Sequence, residues 1–510
     1  MRSLTGASVL ALALAAAFLP QQSPAQTVVV ATSADPEHFN PGITTGSHTH
    51  TVADSLYSGL TARDREGRPV PDLAESWEVS NDGLVYTFHL AQARWHDGKP
   101  VTAEDVRFTF ESILLPHHAR TGASLRGRLA AIETPDPRTV ILRLNAPYAP
   151  LLQQLDVTEA PIMPAHVYAG SDPTINPANL APVGSGPFRF VSHVRDEAVV
   201  LERNPDYFKP GQPRIERLAF RIVPDNRSAL LGYAADEIDV LRSVGGVDAP
   251  GLEARDDTVL EAVTSGPGGG NCVMTVVYNL DRPALQDLRV RQALAQAVDR
   301  QRIVDDVLFG YGRVSQSPVS SGIGWAAVPG LLDHLPYSPE AARALLAEAG
   351  VTPLSLDIVH FPQFSGYADA MRQDLAAVGV AVASRPLDRA ATVEAIYMKR
   401  DFDLGLISYC HGADPEIGFR RTLASDAIGP VPFSNGAGYL HPEVDSLFAE
   451  AVALTDLDAR GEVYRRIQEH AVRDLPYWWL VETESLSAWR KDLDGFTMWS
   501  GQFAEAAGPN

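Results

Sequence analysis

The stretch Val85–Leu90 is the best-defined strand in the hydrophobic pattern of this chain. Every second side chain from Tyr86 to Leu90 is aromatic or aliphatic, which is the period of two of a half-buried strand. Residues 81–83, Asn-Asp-Gly, form a turn sequence before it, and Trp77 lies in the segment before that turn. The pattern therefore predicts a β-hairpin.

A helix is predicted after this hairpin. Thr102 and, three residues later, Asp105 form a variant of the capping box that starts helices. Val106, Phe108 and Phe110 supply apolar side chains behind this cap. The hairpin and helix together would suit many mixed α and β domains.

The second half of the chain alternates capped helices with apolar strand runs. Ser338 precedes a proline and an acid, and Gly350 ends the alanine-rich run that follows, so both ends of a helix are marked. Asp287 is the expected cap of another alanine-rich helix. The run Phe402–Tyr409 predicts a buried strand that leads into the polar residues 410–416. This alternation is typical of the α/β class.

Residues 27–60 predict a strand, a loop and a helix in that order. Residues 28–31 are apolar, whereas residues 35–50 are rich in turn-forming and polar side chains. The apolar residues within Ala53–Leu60 predict the helix. Further on, the glycine-rich segment Ser265–Asn271 is interpreted as a hinge or linker rather than a cofactor loop.

The N-terminus has the pattern of an export signal. Arg2 precedes the apolar run Val9–Leu19, and residues 23–25 form a small-x-small cleavage site, so we expect the mature chain to begin at Gln26. The run is short for a membrane span, and an uncleaved anchor is the alternative. Because no cysteine lies at the cleavage site, we expect a soluble protein of the periplasm.

Composition narrows the function further. With 510 residues, 45% of them hydrophobic, the chain can form two or three domains, and its formal charge of −21 disfavours nucleic acid and anionic lipid as partners. No G-x-S-x-G, H-E-x-x-H or paired-carboxylate motif indicates an enzyme, and nothing predicts a cofactor. Cys272 and Cys410 are the two cysteines, and export favours their pairing over the alternative of metal ligation.

Four motifs in series within residues 73–111 carry a resemblance to a known family. They are A-E-S-W, S-x-D-G-x-x-Y-T-F-x-L, W-H-D-G-x-P-V-T-A-x-D-V and F-x-x-E. In this order they resemble the extracytoplasmic solute-binding proteins, family 5, of peptide/nickel-type ABC transporters, especially the dipeptide- and oligopeptide-binding proteins. Further matching blocks extend from Leu56 to about Phe496, so the resemblance covers nearly the whole mature chain.

This resemblance implies an α/β, two-lobed periplasmic binding protein (type II, cluster C) with an extra subdomain and a hinged interlobe cleft. The expected first lobe comprises residues 26–60, 182–269 and 485–510, with residues 61–181 as its extra subdomain. Residues 270–484 are the expected second lobe. Members of the family carry cysteines at the places of Cys272 and Cys410, which adds to the predicted disulfide.

The implied function is that of the periplasmic substrate-binding component of an ABC importer. A monomer would capture a small peptide or amino-acid-like solute in the cleft and deliver it to the permease subunits in the inner membrane. The alternative is a binder of a metal chelate, an opine or a sugar conjugate on the same fold. The histidines at 48, 50 and 411 would support the chelate, although such histidines more often make ordinary hydrogen bonds.

The ligand-binding candidates lie at two places that the family implies for the cleft. From the first lobe they are Thr45, Gly46, Ser47, His48 and His50; from the second they are Tyr409, His411, Asp414, Arg420 and Arg421.

The second set departs from the pattern of oligopeptide binders. The aspartate that pairs with a peptide amine is replaced by His411-Gly412, and the family's arginines would fall at Leu406 and Tyr397. Arg420 and Arg421 could instead bind an anion bidentately, or form a solvated pair at a helix start.

Overall fold

The computed structural model describes residues 27–263 and 270–510. The predicted export signal and most of the glycine-rich segment at 265–271 lie outside the described residues. No helix within the described ranges is both long enough and apolar enough to cross a membrane.

A seven-stranded sheet is built from both ends and the middle of the chain. Strand Thr27–Thr32 lies between Arg217–Ile222 and Val240–Val244 and is parallel to both, whereas the other neighbours are antiparallel. Val28 and Val30 are buried on the inner face. In spatial order the strands are Thr258–Val263, Ser485–Arg490, Val240–Val244, Thr27–Thr32, Arg217–Ile222, Ala198–Arg203 and Phe188–Val194.

A four-stranded antiparallel sheet contains the predicted hairpin, which is confirmed. Its spatial order is Ala74–Val79, Val85–Leu90, Thr139–Leu144 and Leu129–Asp136. The capped helix is also confirmed, because Asp105 accepts from the backbone N–H of Thr102 at 2.8 Å at the start of helix Ala103–Phe108. Two short two-stranded sheets pair Thr61–Arg63 with Pro69–Pro71, and Leu493–Asp494 with Gly508–Pro509.

A six-stranded sheet contains the two cysteines. Cys272 lies directly opposite Cys410 on an antiparallel neighbour, and a disulfide joins them, as predicted. Strand Leu354–His360 is parallel to both of its neighbours, Leu404–Cys410 and Val380–Pro386. The spatial order is Gly312–Val314, Tyr477–Thr483, Cys272–Tyr278, Leu404–Cys410, Leu354–His360 and Val380–Pro386.

Helices cover the sheets and connect their strands. The predicted helix ends at Ser338, Gly350 and Asp287 are confirmed: Ser338 and Asp287 accept backbone N–H groups, and Gly350 has φ +68°. The α-helices are Ser47–Ala53, Ala103–Phe108, Leu115–His117, Ala119–Leu125, Ala165–Tyr168, Asn226–Ala234, Ala249–Glu253, Pro283–Gln286, Leu288–Ala297, Arg300–Asp306, Pro339–Ala349, Ser365–Ala377, Arg389–Val393, Pro415–Gly418, Arg420–Leu423, Pro442–Ala453 and Leu457–Asp474.

One helix differs from its predicted position. The sequence predicts a helix over Ala53–Leu60, but the structure has Ser47–Ala53, so part of the expected loop is helical. The backbone carbonyls of Ser55 and Leu56 accept from Phe188 and Gly186 instead of from the next helical turn. Tertiary hydrogen bonding therefore outweighs the local apolar pattern here.

The buried side chains form separate cores, which divides the molecule into two lobes. The core of the six-stranded sheet contains only residues between 273 and 481, whereas the cores of the other two sheets contain residues outside that range. The chain crosses between lobes after Val263, and crosses back between strands Tyr477–Thr483 and Ser485–Arg490. The structure is thus a two-lobed α/β fold.

Candidate ligand-binding cleft

The carboxyl ends of parallel strands are where open α/β sheets bind ligands. In the first lobe these are the ends of the three central strands, at Thr32, Ile222 and Val244. A cavity of about 170 Å³ lies at this edge. Its lining residues are Ala31, Thr32, Ser33, Thr51, Val223, Asn226, Ala229, Leu241, Arg242 and Ser243.

Arg242 is the charged residue of this cavity. Its guanidinium carbon lies 4.1 Å from the centroid of the Phe503 ring, and its Nη1 donates to the Thr51 carbonyl at 3.3 Å. No carboxylate of the described residues lies within 4.0 Å of it. Burial lowers the pKa of Arg242 to about 10, only partly offset by Asp54.

The first-lobe candidates lie at the start of helix Ser47–Ala53. Gly46 is its N-cap, Ser47 and His48 are exposed, and Thr45 is half-buried. The helix brings Thr51, which follows the predicted segment, to the lining of the cavity. Ligand contact by Thr45, Gly46, Ser47 and His48 stays a prediction.

His50 has a structural set of partners. Its Nδ1 lies 2.8 Å from Asp54 Oδ1, and its Nε2 lies 3.0 Å from the Thr44 carbonyl. Because both partners are acceptors, both ring nitrogens must donate, which requires the imidazolium form. Burial lowers the pKa of His50, but the charge and hydrogen bond of Asp54, together with the hydrogen bond to the Thr44 carbonyl, outweigh this effect and raise the pKa above its usual value. Neither nitrogen is left for a metal.

In the second lobe, Tyr409 is buried near the carboxyl end of strand Leu404–Cys410. Its hydroxyl lies 2.8 Å from that of Tyr397 and 3.5 Å from the Ser434 carbonyl. Leu406, the other position at which the family would place an arginine, is fully buried. Tyr409 is therefore packed inside the second lobe, where its hydroxyl group is hydrogen-bonded to that of Tyr397.

His411 is buried rather than exposed to a ligand. Its Nδ1 accepts from the backbone N–H of Ser320 at 3.3 Å, and its ring packs edge-on against Phe419. Burial lowers the pKa of His411 to about 3, with a contribution from the charge of Arg421. The ring is neutral. His48, His50 and His411 do not come together, and the described residues contain no cluster of three metal-ligating side chains.

Asp414 is also in the interior. It caps helix Pro415–Gly418 and binds both terminal nitrogens of Arg460, at 2.7 and 3.0 Å. Both side chains have no exposed surface. Its acceptor atoms are thus occupied by the protein, although it is the first acid after the strand.

Arg420 and Arg421 differ in their partners. Arg420 forms ion pairs with Asp426 at 2.6 Å and Glu416 at 3.5 Å. Arg421 is half-buried, donates to the Gly418 carbonyl at 3.3 Å, and has no carboxylate within 4.0 Å among the described residues. Burial raises the pKa of Tyr397 and Tyr409, and the positive charge of Arg421 partly offsets this rise. Arg421 therefore keeps donors that a ligand could use.

The two lobes are in contact at Gly246 and Glu253 of the first lobe and Leu308 and Tyr311 of the second. A Cβ on Gly246 would lie 3.0 Å from the Leu308 carbonyl oxygen, and Tyr311 donates to Glu253 at 3.1 Å. Gly246 lies two residues after the end of strand Val240–Val244, so the strand that carries Arg242 leads toward this interlobe contact.

Sequence reasoning missed Arg242, although a signal was present. The arginine lies between apolar residues in the segment V-L-R-S-V at positions 240–244. A charged residue inside a buried strand needs a partner, and the sequence does not show one.

Two lobes with polar groups at the carboxyl edges of their sheets define the architecture of a solute-binding protein. The chain matches the model of the bacterial extracellular solute-binding proteins, family 5 (middle region), over residues 68–429. It belongs to this family.

Relatives and a solved structure agree with this membership. A Brucella ovis protein, provisionally named an ABC transporter peptide-binding protein, is 30% identical over 92% of this chain and 89% of its own length. Di/tripeptide-binding protein 1 of Pseudomonas aeruginosa is 29% identical over 97% of this chain and 96% of its own. The structure of HbpA2 from Haemophilus parasuis has a TM-score of 0.83 at 25% identity, covering 95% of this chain and 100% of that one.

Proposed function

We propose that this substrate-binding component of an ABC importer captures a small peptide or amino-acid-like solute between its lobes and passes it to the permease. Family membership supports the transport role, and the di/tripeptide-binding relative supports the ligand class. The proposal is binding without chemical conversion, by a monomer in the periplasm after cleavage near Ala25. Intact-mass measurement of the exported protein tests the cleavage site.

The proposed domain division follows the sheets. Residues 26–60, 182–269 and 485–510 form the first lobe, residues 61–181 its extra subdomain and residues 270–484 the second lobe. The strand membership of each sheet supports these limits. A ligand that contacts both lobes stabilises the closed arrangement, because each lobe's contacts to it are complete only when the lobes meet.

The main structural support for a peptide ligand is that the guanidinium group of Arg421 has unused hydrogen-bond donors. It lies beyond the carboxyl end of strand Leu404–Cys410 without a carboxylate partner, whereas the neighbouring Asp414 and Arg420 are paired. A guanidinium with free donors suits the terminal carboxylate of a peptide, which it can bind with two parallel hydrogen bonds.

Calorimetry with a panel of dipeptides and tripeptides tests this proposal. We expect Arg421→Gln to weaken binding about tenfold or more and to reduce its salt dependence. Arg420→Gln is the matched control, because it removes the same charge from a side chain that already has two carboxylate partners. Absence of peptide binding by the wild type, or equal effects of both substitutions, would contradict the proposal.

A further inference from the structure

We propose that the first-lobe cavity at Arg242 binds a side-chain carboxylate of the ligand, so that the protein selects acidic peptides. This inference rests on the proposed function and specifies its substrate class. Arg242 lies in the first lobe, whereas Arg421, which is proposed to bind the terminal carboxylate, lies in the second.

The geometry of Arg242 leaves a binding edge open. Phe503 covers the guanidinium at 4.1 Å, and one N–H is used by the Thr51 carbonyl. Both contacts hold the planar group in one orientation. Because a guanidinium carries five donors and no carboxylate of the described residues pairs with this one, donors remain for a carboxylate.

The electrostatics of the cavity favour an anion. None of its lining residues is acidic, and Ser33, Ser243 and Asn226 add hydroxyl and amide groups around the arginine. The Asp54 carboxylate, whose charge acts on Arg242, already accepts from His50 and Thr158. On a chain of net charge −21, this local excess of positive charge discriminates between acidic and neutral side chains.

The size of the cavity points to part of a ligand. Sites that hold a whole small ligand usually enclose about 300–1,000 Å³, whereas this cavity has about 170 Å³. It can hold one side chain of a ligand whose backbone lies outside the cavity. Arg242 is half-buried, and desolvation lowers its pKa to about 10, an effect that a bound carboxylate would oppose.

Two pairs of isosteric probes test the site by calorimetry. The first pair is Ala-Glu and Ala-Gln, and the second is glutarate and its monoamide, which lack an amino group. They are compared on the wild type, Arg242→Gln, Arg242→Lys and the control Arg217→Gln. The exposed side chain of Arg217 lies at the opposite end of strand Arg217–Ile222, which is two strands away from the strand of Arg242 in the same sheet. Melting of each apo protein shows that the variants fold.

We expect the wild type to bind Ala-Glu about tenfold or more tightly than Ala-Gln. Arg242→Gln should remove this preference while retaining binding of Ala-Gln, Arg242→Lys should keep part of it, and Arg217→Gln should keep all of it. A wild type without the preference, or an Arg242→Gln variant that retains it, overturns the inference and leaves peptide capture standing.

The second pair separates the two proposals. A preference for glutarate that depends on Arg242, without binding of either peptide, supports the carboxylate site and overturns peptide capture. Failure of the wild type to bind any of the four probes overturns both.

Discussion

Asp414 and Arg460 form a doubly hydrogen-bonded ion pair in the interior of the second lobe. The two N–O distances are 2.7 and 3.0 Å, and neither side chain is exposed. The guanidinium carbon also lies 4.8 Å from the centroid of the Trp325 ring. Asp414, which the sequence suggests as a ligand-binding residue, therefore has a structural role inside the second lobe.

Removal of one partner of this pair should destabilise the protein strongly. We expect Asp414→Asn to lower the free energy of unfolding by about 3–5 kcal/mol, because Arg460 would be left buried without its counter-charge. Urea unfolding, followed by tryptophan fluorescence, measures this. A double replacement, Asp414→Leu with Arg460→Met, should recover part of the loss. The exposed helical pair Glu462–Arg465 is the control, and Glu462→Gln should have little effect. A single variant as stable as the wild type would contradict the assignment.

Reduction of the disulfide should weaken the second lobe. Cys272 and Cys410 are 138 residues apart, and the chain-entropy estimate for such a loop is about 4–5 kcal/mol. We expect the double variant Cys272→Ser, Cys410→Ser to unfold at lower urea concentration than the oxidised wild type. Unfolding of both proteins with a reductant is the control, since the difference should then nearly vanish. Complete maleimide labelling of unreduced, denatured protein would contradict the bond.

His411 should make the protein sensitive to acid. Its pKa is about 3 in the folded protein and 6.5 in the free side chain, so the unfolded chain binds a proton that the folded one does not. Stability from this residue therefore falls as the pH decreases from 6.5 toward 3. We expect His411→Asn to lose less stability over that range than the wild type, as measured by thermal melting. Above pH 6.5, His411→Asn should change ligand affinity less than it changes stability. A larger effect on affinity than on stability would instead place His411 in contact with the ligand.

His50 should have the opposite pH dependence. Its pKa in the folded protein is raised above 6.5 by Asp54, so its contribution is complete below 6.5 and is lost as the pH rises through the folded value. We expect His50→Gln to reduce stability more at acidic than at alkaline pH. Melting curves of both proteins across this range measure the difference. An equal loss of stability at every pH would show that His50 is not in the imidazolium form when it contacts Asp54.

The sequence by itself determined the local structure of many elements. The hairpin around Val85–Leu90, the cap at Thr102 and both ends of the helix after Ser338 depend on neighbours a few residues away. Such interactions are visible in the sequence because the partners are close along the chain. The motif series within residues 73–111 also indicated the family, which the match over residues 68–429 shows.

The tertiary structure decided which polar groups are available to a ligand. Asp414 is paired with a residue 46 positions away, and Arg242 stacks on Phe503 from the far end of the chain. The sequence treats Arg420 and Arg421 alike, yet only Arg420 has a carboxylate partner among the described residues. Whether a charge is satisfied depends on distant partners and burial, because solvation and Coulomb energies are set by the space around the group rather than by its position in the chain.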